Sequence, residues 1–405
     1  MKRKLLWVGD AGVSTGFARV THGILDTLRA TWDVGVLGVN YHGDPHDYPY
    51  PIWPCVAPYD DAHDAFGIER LPKIIRRFGP DVIVVQNDPW NVPKYLRAVG
   101  NVPTVGFVAV DGKNCRGGGM NGLALAVFWT EFGREQARLG GYSGPTAVVP
   151  LGVDLDVYRP LDRAATRAHH ARLLFGPRFP VDGFIVGVVG RNQQRKRLDL
   201  AIAYFAEWIR TTRRDDAYLY LYVAPTGDEG FDVTQLAGYY GMANRAIVVE
   251  PHVGHGNREA LLNEIYNTFD VLLSTSQAEG WSLPTMEAMA AGVPCVVPDW
   301  AALGEWPEDA AVKIPCSTFA CTPNKINVVC GVPDRAPTIA ALDRLYADPA
   351  FRAELGQRVR DLVARPQFRW PAIGAAFRDA LDVALVLRGT GAAVEAPALA
   401  PVATP

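Results

Sequence analysis

Short apolar runs that alternate with stretches of helical spacing constrain this chain more than any other feature. KLLWVGD, WDVGVLGVN, DVIVVQND, PTVGFVAVD, LAVFWT and TAVVPLG read as strands, and Phe17 to Leu28, between the first two, has helical spacing. After Tyr158-Arg159-Pro160 comes a polar helical segment, and then a second series: FIVGVVG, AYLYLYVAP, RAIVVEP, VLLSTS, PCVVPD and AVKIP. Short strands separated by helices need crossover connections and form parallel sheets. Two such series predict an α/β protein of two doubly wound domains. Ligands of these sheets bind beyond the carboxyl ends of the strands, so the cleft between two domains is the natural site. A length of 405 residues with 49% hydrophobic content is enough for two cores.

Residues 335–364 read as one or two amphipathic helices, and FRWPAIGAAFRDALDVALVL as a last helix broken near its start by Pro371. Beyond Leu387 the sequence is rich in Ala, Pro and Gly without periodicity and reads as a disordered tail. No apolar run is long enough for a membrane span. The basic start Met-Lys-Arg-Lys precedes an apolar run that ends in Gly9-Asp10, which fits a first strand better than a signal peptide. Cys55, Cys115 and Cys295 are isolated, and Cys316, Cys321 and Cys330 lack zinc-site spacing. Reduced thiols in a cytoplasmic protein are expected.

Chemistry concentrates at strand-to-helix junctions. Gly190-Arg191-Asn192-Gln193-Gln194-Arg195-Lys196-Arg197 follows the strand FIVGVVG and precedes the helix LDLAIAYFAEWI. Cations at a strand's carboxyl end beside a helix start suit a phosphate; a solvated basic turn is the alternative. In SQAEGWSLPTMEAMAAGVP, Glu279-Gly280 turns the chain, Pro284 falls in a first helical turn, and Gly292 ends the helix. The loop presents backbone N–H groups to an anion. Glu279 and Glu287 would accept hydrogen bonds from hydroxyls on either side of it. A phosphate between two sets of hydroxyls describes a sugar nucleotide. Otherwise Glu279 caps backbone and Glu287 lies on a helix surface. Gly12 and Gly16, after the first strand, let backbone approach a ligand, but their loop is not a Gly-x-Gly-x-x-Gly fingerprint. The second strand ends in Val39-Asn40 rather than an acid, which argues against a nicotinamide-dependent oxidoreductase.

Together these segments resemble the GT-B glycosyltransferases, specifically the retaining family 4 (glycosyl transferases group 1). Glu279-Gly-Trp-Ser-Leu-Pro-Thr-Met-Glu287 matches the family's E-x7-E pattern, and Arg191 through Lys196 is similar to its phosphate-binding Arg and Lys. VVPLGVDLDVYRP at 148–160 resembles its interdomain segment, WTEFGREQARLGGY the helix ahead of it, and Phe368-Arg369-Trp370 the start of a helix crossing back to the first domain. The resemblance spans about residues 5–387 and is stronger in the second half. It implies a first domain at 1–160 that selects the acceptor, a donor domain at 161–368, a returning helix at 369–388 and a tail at 389–405.

The resemblance also implies roles. Arg191 and Lys196 bind the donor diphosphate and stabilise the leaving group. Backbone around Gly280, Trp281, Ser282 and Leu283 holds the same phosphates. Glu287 binds ribose hydroxyls and Glu279 those of the transferred sugar. His252 and Val253 lie beside the nucleobase, and the loop from Gly12 to Gly16 packs on the phosphates and the acceptor. With Arg and Lys on the leaving group, no cofactor and no metal are needed. Many relatives carry a His after the fourth strand of the first domain, where this chain has Asp111. Asp111 would bind a donor hydroxyl, act as a base on the acceptor, or start a turn with Gly112.

The implied reaction moves a hexosyl group from a nucleoside-diphosphate sugar to an acceptor hydroxyl with retention. A sugar-nucleotide epimerase or phosphorylase on the same fold, or a non-catalytic sugar-nucleotide or DNA-binding scaffold, are the alternatives. The acceptor is open: a glycan, a protein, a small molecule or a hydroxymethylated DNA base. The aromatic and His-rich stretch Asn40 to Pro58 suits a sugar, whereas Lys73, Arg76, Arg77, Lys94, Arg97, Lys113 and Arg116 would suit a polyanion. A formal net charge of −3 tilts against DNA.

Overall fold

A computed structural model describes residues 2–55, 64–172, 179–226, 230–251, 258–323 and 325–390. The chain divides into two compact units, Met1–Gly152 with Pro366–Pro405, and Val153–Arg365.

In the first unit the strands are β1 (Arg3–Asp10), β2 (Trp32–Val39), β3 (Ile52–Pro54), β4 (Val82–Asn87), β5 (Thr104–Val108), β6 (Leu125–Phe128) and β7 (Thr146–Val148). They form one sheet in the order β3-β2-β1-β4-β5-β6-β7. All its pairings are parallel. Leu5, Leu6, Trp7 and Val8 of β1 are all fully buried, because helices cover both faces. β3 lies in the Pro-rich stretch that gave no strand signal; as an edge strand it needs a ladder partner on one side only.

The helix Trp370–Thr390 belongs to this unit, where it packs on the helix Gly16–Leu28. Pro371 does not break it. As the second helical residue, Pro371 sits where a missing N–H costs nothing. Small residues allow the close approach: a Cβ on Gly23 would lie 2.6 Å from the Trp370 ring, and one on Gly374 1.8 Å from Thr27 Oγ1. Of the expected tail, 389–390 continue this helix, and 391–405 lie outside the described residues.

The second unit holds β8 (Phe184–Val189), β9 (Ala217–Tyr222), β10 (Ala246–Val249), β11 (Val271–Leu273), β12 (Cys295–Pro298) and β13 (Val312–Ile314). They pair in parallel in the order β10-β9-β8-β11-β12-β13. A hairpin of β14 (Thr318–Cys321) and β15 (Val329–Val332) follows, unanticipated from sequence. The segment 153–160, expected with the first domain, is held in this unit: Asn263 Oδ1 accepts from Arg159 N at 3.0 Å, and Asn267 Oδ1 from Leu161 N at 2.7 Å. Arg167 and Asp270, both buried and 2.7 Å apart, tie the helix Arg163–His170 to the start of β11.

Chain order reverses between β8 and β11, so the loops after these adjacent strands leave in opposite directions and open a crevice at their carboxyl ends. The basic run and the two glutamates follow these two strands. Among the described residues, no helix is long and apolar enough to cross a membrane, and the six cysteines are free.

Candidate active site

The loops after β8 and β11 are bonded to each other. Gln277 N donates to Arg195 O at 2.9 Å, and Thr275 Oγ1 to Arg197 O at 2.9 Å. Arg195 Nη1 donates to Ala278 O at 2.6 Å. Each loop enters its helix through a non-glycine residue in the left-handed region, Arg197 (φ 51°) before Leu198–Thr212 and Ser282 (φ 76°) before Leu283–Ala290. Such conformations cost about 1 kcal/mol or more and persist only where surrounding contacts impose them.

These contacts deliver Lys196 to Glu279. Glu279 is 6% exposed; Lys196 Nζ pairs with its Oε1, and Arg195 Nη1 lies 3.2 Å from its Oε2. Burial by itself would raise the carboxyl pKa. The charges of Lys196 and Arg195, with hydrogen bonds from Lys196 and Ser276, outweigh it and hold the group at about 2. Glu279 is therefore an ionised acceptor at neutral pH. Lys196, expected on a phosphate, and Glu279, expected on a sugar, are partners here. Arg195 is a third member that the sequence reading passed over.

Glu287 is buried, and its Oε2 accepts from Tyr266 Oη at 2.7 Å, another partner the sequence did not reveal. Trp281 is also buried, stacked on Trp306 with centroids 4.9 Å apart, and its carbonyl accepts from Trp306 Nε1 at 2.7 Å. The indole of Trp281 braces the loop from within. Gly280 is buried beside it. Ser282 Oγ and Thr285 Oγ1 lie 2.9 Å apart at the helix start. The N–H groups of Leu283 and Thr285 fall in the first turn, where no intrahelical carbonyl reaches them. A small cavity here is lined by Gly190, Lys196, Thr275, Glu279, Ser282 and Thr285 among others.

Arg191 is exposed on the same basic loop. Its neighbour Asn192 is buried and fixes the loop: Nδ2 donates to Ala224 O at 2.9 Å and Phe231 O at 2.6 Å, while Oδ1 accepts from Phe231 N at 2.9 Å. Val253, and His252 with it, lies outside the described residues.

Gly12, Gly16 and Asp111 belong to the first unit. At Gly12 a Cβ would lie 2.1 Å from Tyr41 Cδ2, so the tyrosine ring packs closely on that side of the backbone. Gly16 opens the helix Gly16–Leu28, which Thr15 caps by accepting from Ala18 N at 3.1 Å and donating to Asp10 Oδ2 at 2.6 Å. Asp111 lies partly buried just beyond β5. Among the described residues, no group of three or more His, Cys, Asp or Glu is gathered to hold a metal.

The family model of the glycosyl transferases group 1 matches residues 183–321, the stretch that carries β8 through β14 and both site loops. The matched segment contains Arg191, Lys196, Glu279 and Glu287 together. The chain is 29% identical over 263 residues to D-inositol 3-phosphate glycosyltransferase of Acidothermus cellulolyticus, covering 62% of this chain and 52% of that protein. This chain thus spans about half the length of that curated relative. Sucrose-phosphate synthase from Thermosynechococcus elongatus superposes with a TM-score of 0.71 at 19% identity, over 94% of this chain and 98% of that one. The Anabaena protein HepE, solved in complex with UDP and glucose, superposes with a TM-score of 0.69 at 15% identity, over 94% and 99%. The fold is GT-B, two Rossmann-like domains with parallel sheets.

Proposed function

We propose that this protein is a retaining glycosyltransferase that moves a hexosyl group from a nucleoside-diphosphate sugar to an acceptor hydroxyl. The observation that carries this reading is the Arg195–Glu279–Lys196 cluster beside a helix N-terminus at the β8/β11 reversal. It offers an anion seat, a cation and an ionised hydroxyl acceptor within one pair of loops.

In this reading the donor diphosphate lies on the Leu283 and Thr285 N–H groups, with Arg191 and Lys196 against its oxygens. Glu279 accepts from hydroxyls of the transferred sugar, and Glu287, oriented by Tyr266, from ribose. The bond from the anomeric carbon to the phosphate oxygen breaks as charge grows on the diphosphate. The acceptor oxygen bonds to the same carbon on the face the diphosphate leaves, and its proton passes to the departing phosphate oxygen. Arg191 and Lys196 stabilise that charge, so the proposal needs no metal or other cofactor. Asp111 is assigned to a donor hydroxyl or to the acceptor as a base. Six free thiols support a reducing compartment, the cytoplasm.

The test is calorimetric binding and hydrolysis of UDP-, GDP- and ADP-glucose by wild type and Arg191→Ala. Binding of one nucleotide class, weakened in the variant, is expected. No binding of any donor would overturn the proposal.

A further inference from the structure

We propose that the aromatic cluster between β2 and β3 is a saccharide-binding platform, the acceptor subsite of the first unit. The acceptor role rests on the glycosyltransferase reading; the platform itself rests on its own geometry.

Tyr48 is 42% exposed, and its ring lies flat on His22, with centroids 3.7 Å apart and an interplanar angle of 11°. His22 is fixed at both ring nitrogens. Nε2 lies 2.8 Å from Ala11 O, and a carbonyl only accepts, so Nε2 carries the hydrogen. Nδ1, 2.6 Å from Tyr50 Oη, then accepts from that hydroxyl in the neutral ring. Burial lowers the His22 pKa and keeps this form. His46 lies beside Tyr48 at 5.8 Å, and Tyr41 beside His46 at 6.1 Å. An exposed ring on a braced support is prepared to receive a ligand without further ordering.

The Tyr41 end of the cluster stands at the ligand edge of the sheet, and Tyr50 leads into β3. The cluster is tied to the loop after β1 through His22 to Ala11 O, through the Tyr41 ring over Gly12, and through Asn40 Nδ2, 3.4 Å from Asp10 Oδ1. The carboxyl ends of β1 and β2 are where a doubly wound sheet takes its ligands.

Charge selects the ligand. Residues 40–51 contain Asp44 and Asp47, both exposed, and no Lys or Arg. A phosphate backbone would meet two carboxylates on this segment beside Tyr48; Lys2, Lys4 and Arg29 line a cavity against Pro49, Tyr50 and Pro51, at the amino ends of β1 and β2. A pyranose offers what this surface lacks: polarised C–H bonds for the negative face of Tyr48, and hydroxyl donors for Asp44 and Asp47.

Saturation-transfer NMR tests this with the methyl glycosides of glucose, galactose, mannose and N-acetylglucosamine. An eight-residue oligothymidine serves as the competing ligand, and UDP, GDP and ADP are titrated in parallel. Wild type is expected to transfer saturation to the ring protons of at least one glycoside. Tyr48→Phe should retain the signal, and Tyr48→Ala should weaken it about three- to tenfold with nucleotide binding unchanged. No transfer to any glycoside from protein that binds nucleotide would overturn the platform, as would a signal undiminished in Tyr48→Ala. Tyr48-dependent binding of the oligonucleotide alone would overturn the saccharide in favour of nucleic acid. Tyr48-dependent glycoside binding without nucleotide binding would support the saccharide site and sink the donor reading.

Discussion

Lys196 and Glu279, 83 positions apart in the chain, form a single ion pair nearly closed to solvent. Arg195 joins the same carboxylate from the adjacent position. The cluster sets what can be asked of each residue: removing Glu279 strands two cations, whereas removing Lys196 leaves the carboxylate with Arg195 alone.

Glu279→Ala therefore carries two expected effects. Transfer is lost, and stability falls by about 3 kcal/mol because two cations remain without their anion. Glu279→Gln keeps shape and hydrogen bonding and should destabilise less while still losing most activity. Urea unfolding alongside transfer assays separates the two effects; wild-type turnover in Glu279→Gln would remove the carboxylate from the mechanism.

Acid stability follows from the same carboxyl. Its folded pKa of about 2 lies below the ordinary 4.5, so its contribution is fully present above pH 4.5 and disappears as pH falls toward 2. The difference corresponds to about 3 kcal/mol. Urea midpoints measured across that window should fall more steeply in wild type than in Glu279→Gln. Parallel curves would show that the ion pair contributes nothing.

Arg195 holds Ala278 O and Glu279 together, whereas Arg191 is assigned to the phosphate. Arg195→Ala should lower kcat about 10- to 100-fold, the equivalent of one charged hydrogen bond, with nucleotide affinity little changed. Arg191→Ala should instead weaken nucleotide binding. Equal losses of affinity in both variants would place Arg195 on the phosphate too.

Trp306 supports the glutamate loop through a stack and a hydrogen bond to Trp281. Trp306→Phe keeps a ring and deletes the bond, at about 1 kcal/mol. Trp306→Ala opens a cavity at about 3–5 kcal/mol and should raise the donor KM by loosening the loop. Denaturant melts and steady-state kinetics read both; an unchanged KM in Trp306→Ala would show that the loop holds its shape without the brace.

The parts of this molecule that periodicity governs were legible. The central strands of both parallel sheets are buried on both faces and read as near-continuous apolar runs, as in KLLWVGD and FIVGVVG. The edge strand Ile52–Pro54 and the hairpin Thr318–Val332 escaped notice because Pro, Asn and Cys interrupt them, and an edge strand or surface hairpin needs no continuous apolar run. Arg191, Lys196, Glu279 and Glu287 stood out by motif. Arg195 was hidden in the cationic run RKR, where no spacing shows which charge turns inward. Tyr266 lies on a different helix, and only tertiary structure brings it to Glu287. Sequence also does not reveal that Tyr41 fills the space beside Gly12.

Asn192 serves three backbone groups with one amide, donating to two carbonyls and accepting from one N–H. Only an amide can do both. Hydrolysis of that side chain, a slow spontaneous reaction of ageing protein, would turn the donating nitrogen into a charged oxygen facing Ala224 O and Phe231 O. The loop that carries Arg191 would then be repelled from its anchor, so a one-atom lesion would limit the working lifetime of the donor site while leaving both sheets intact.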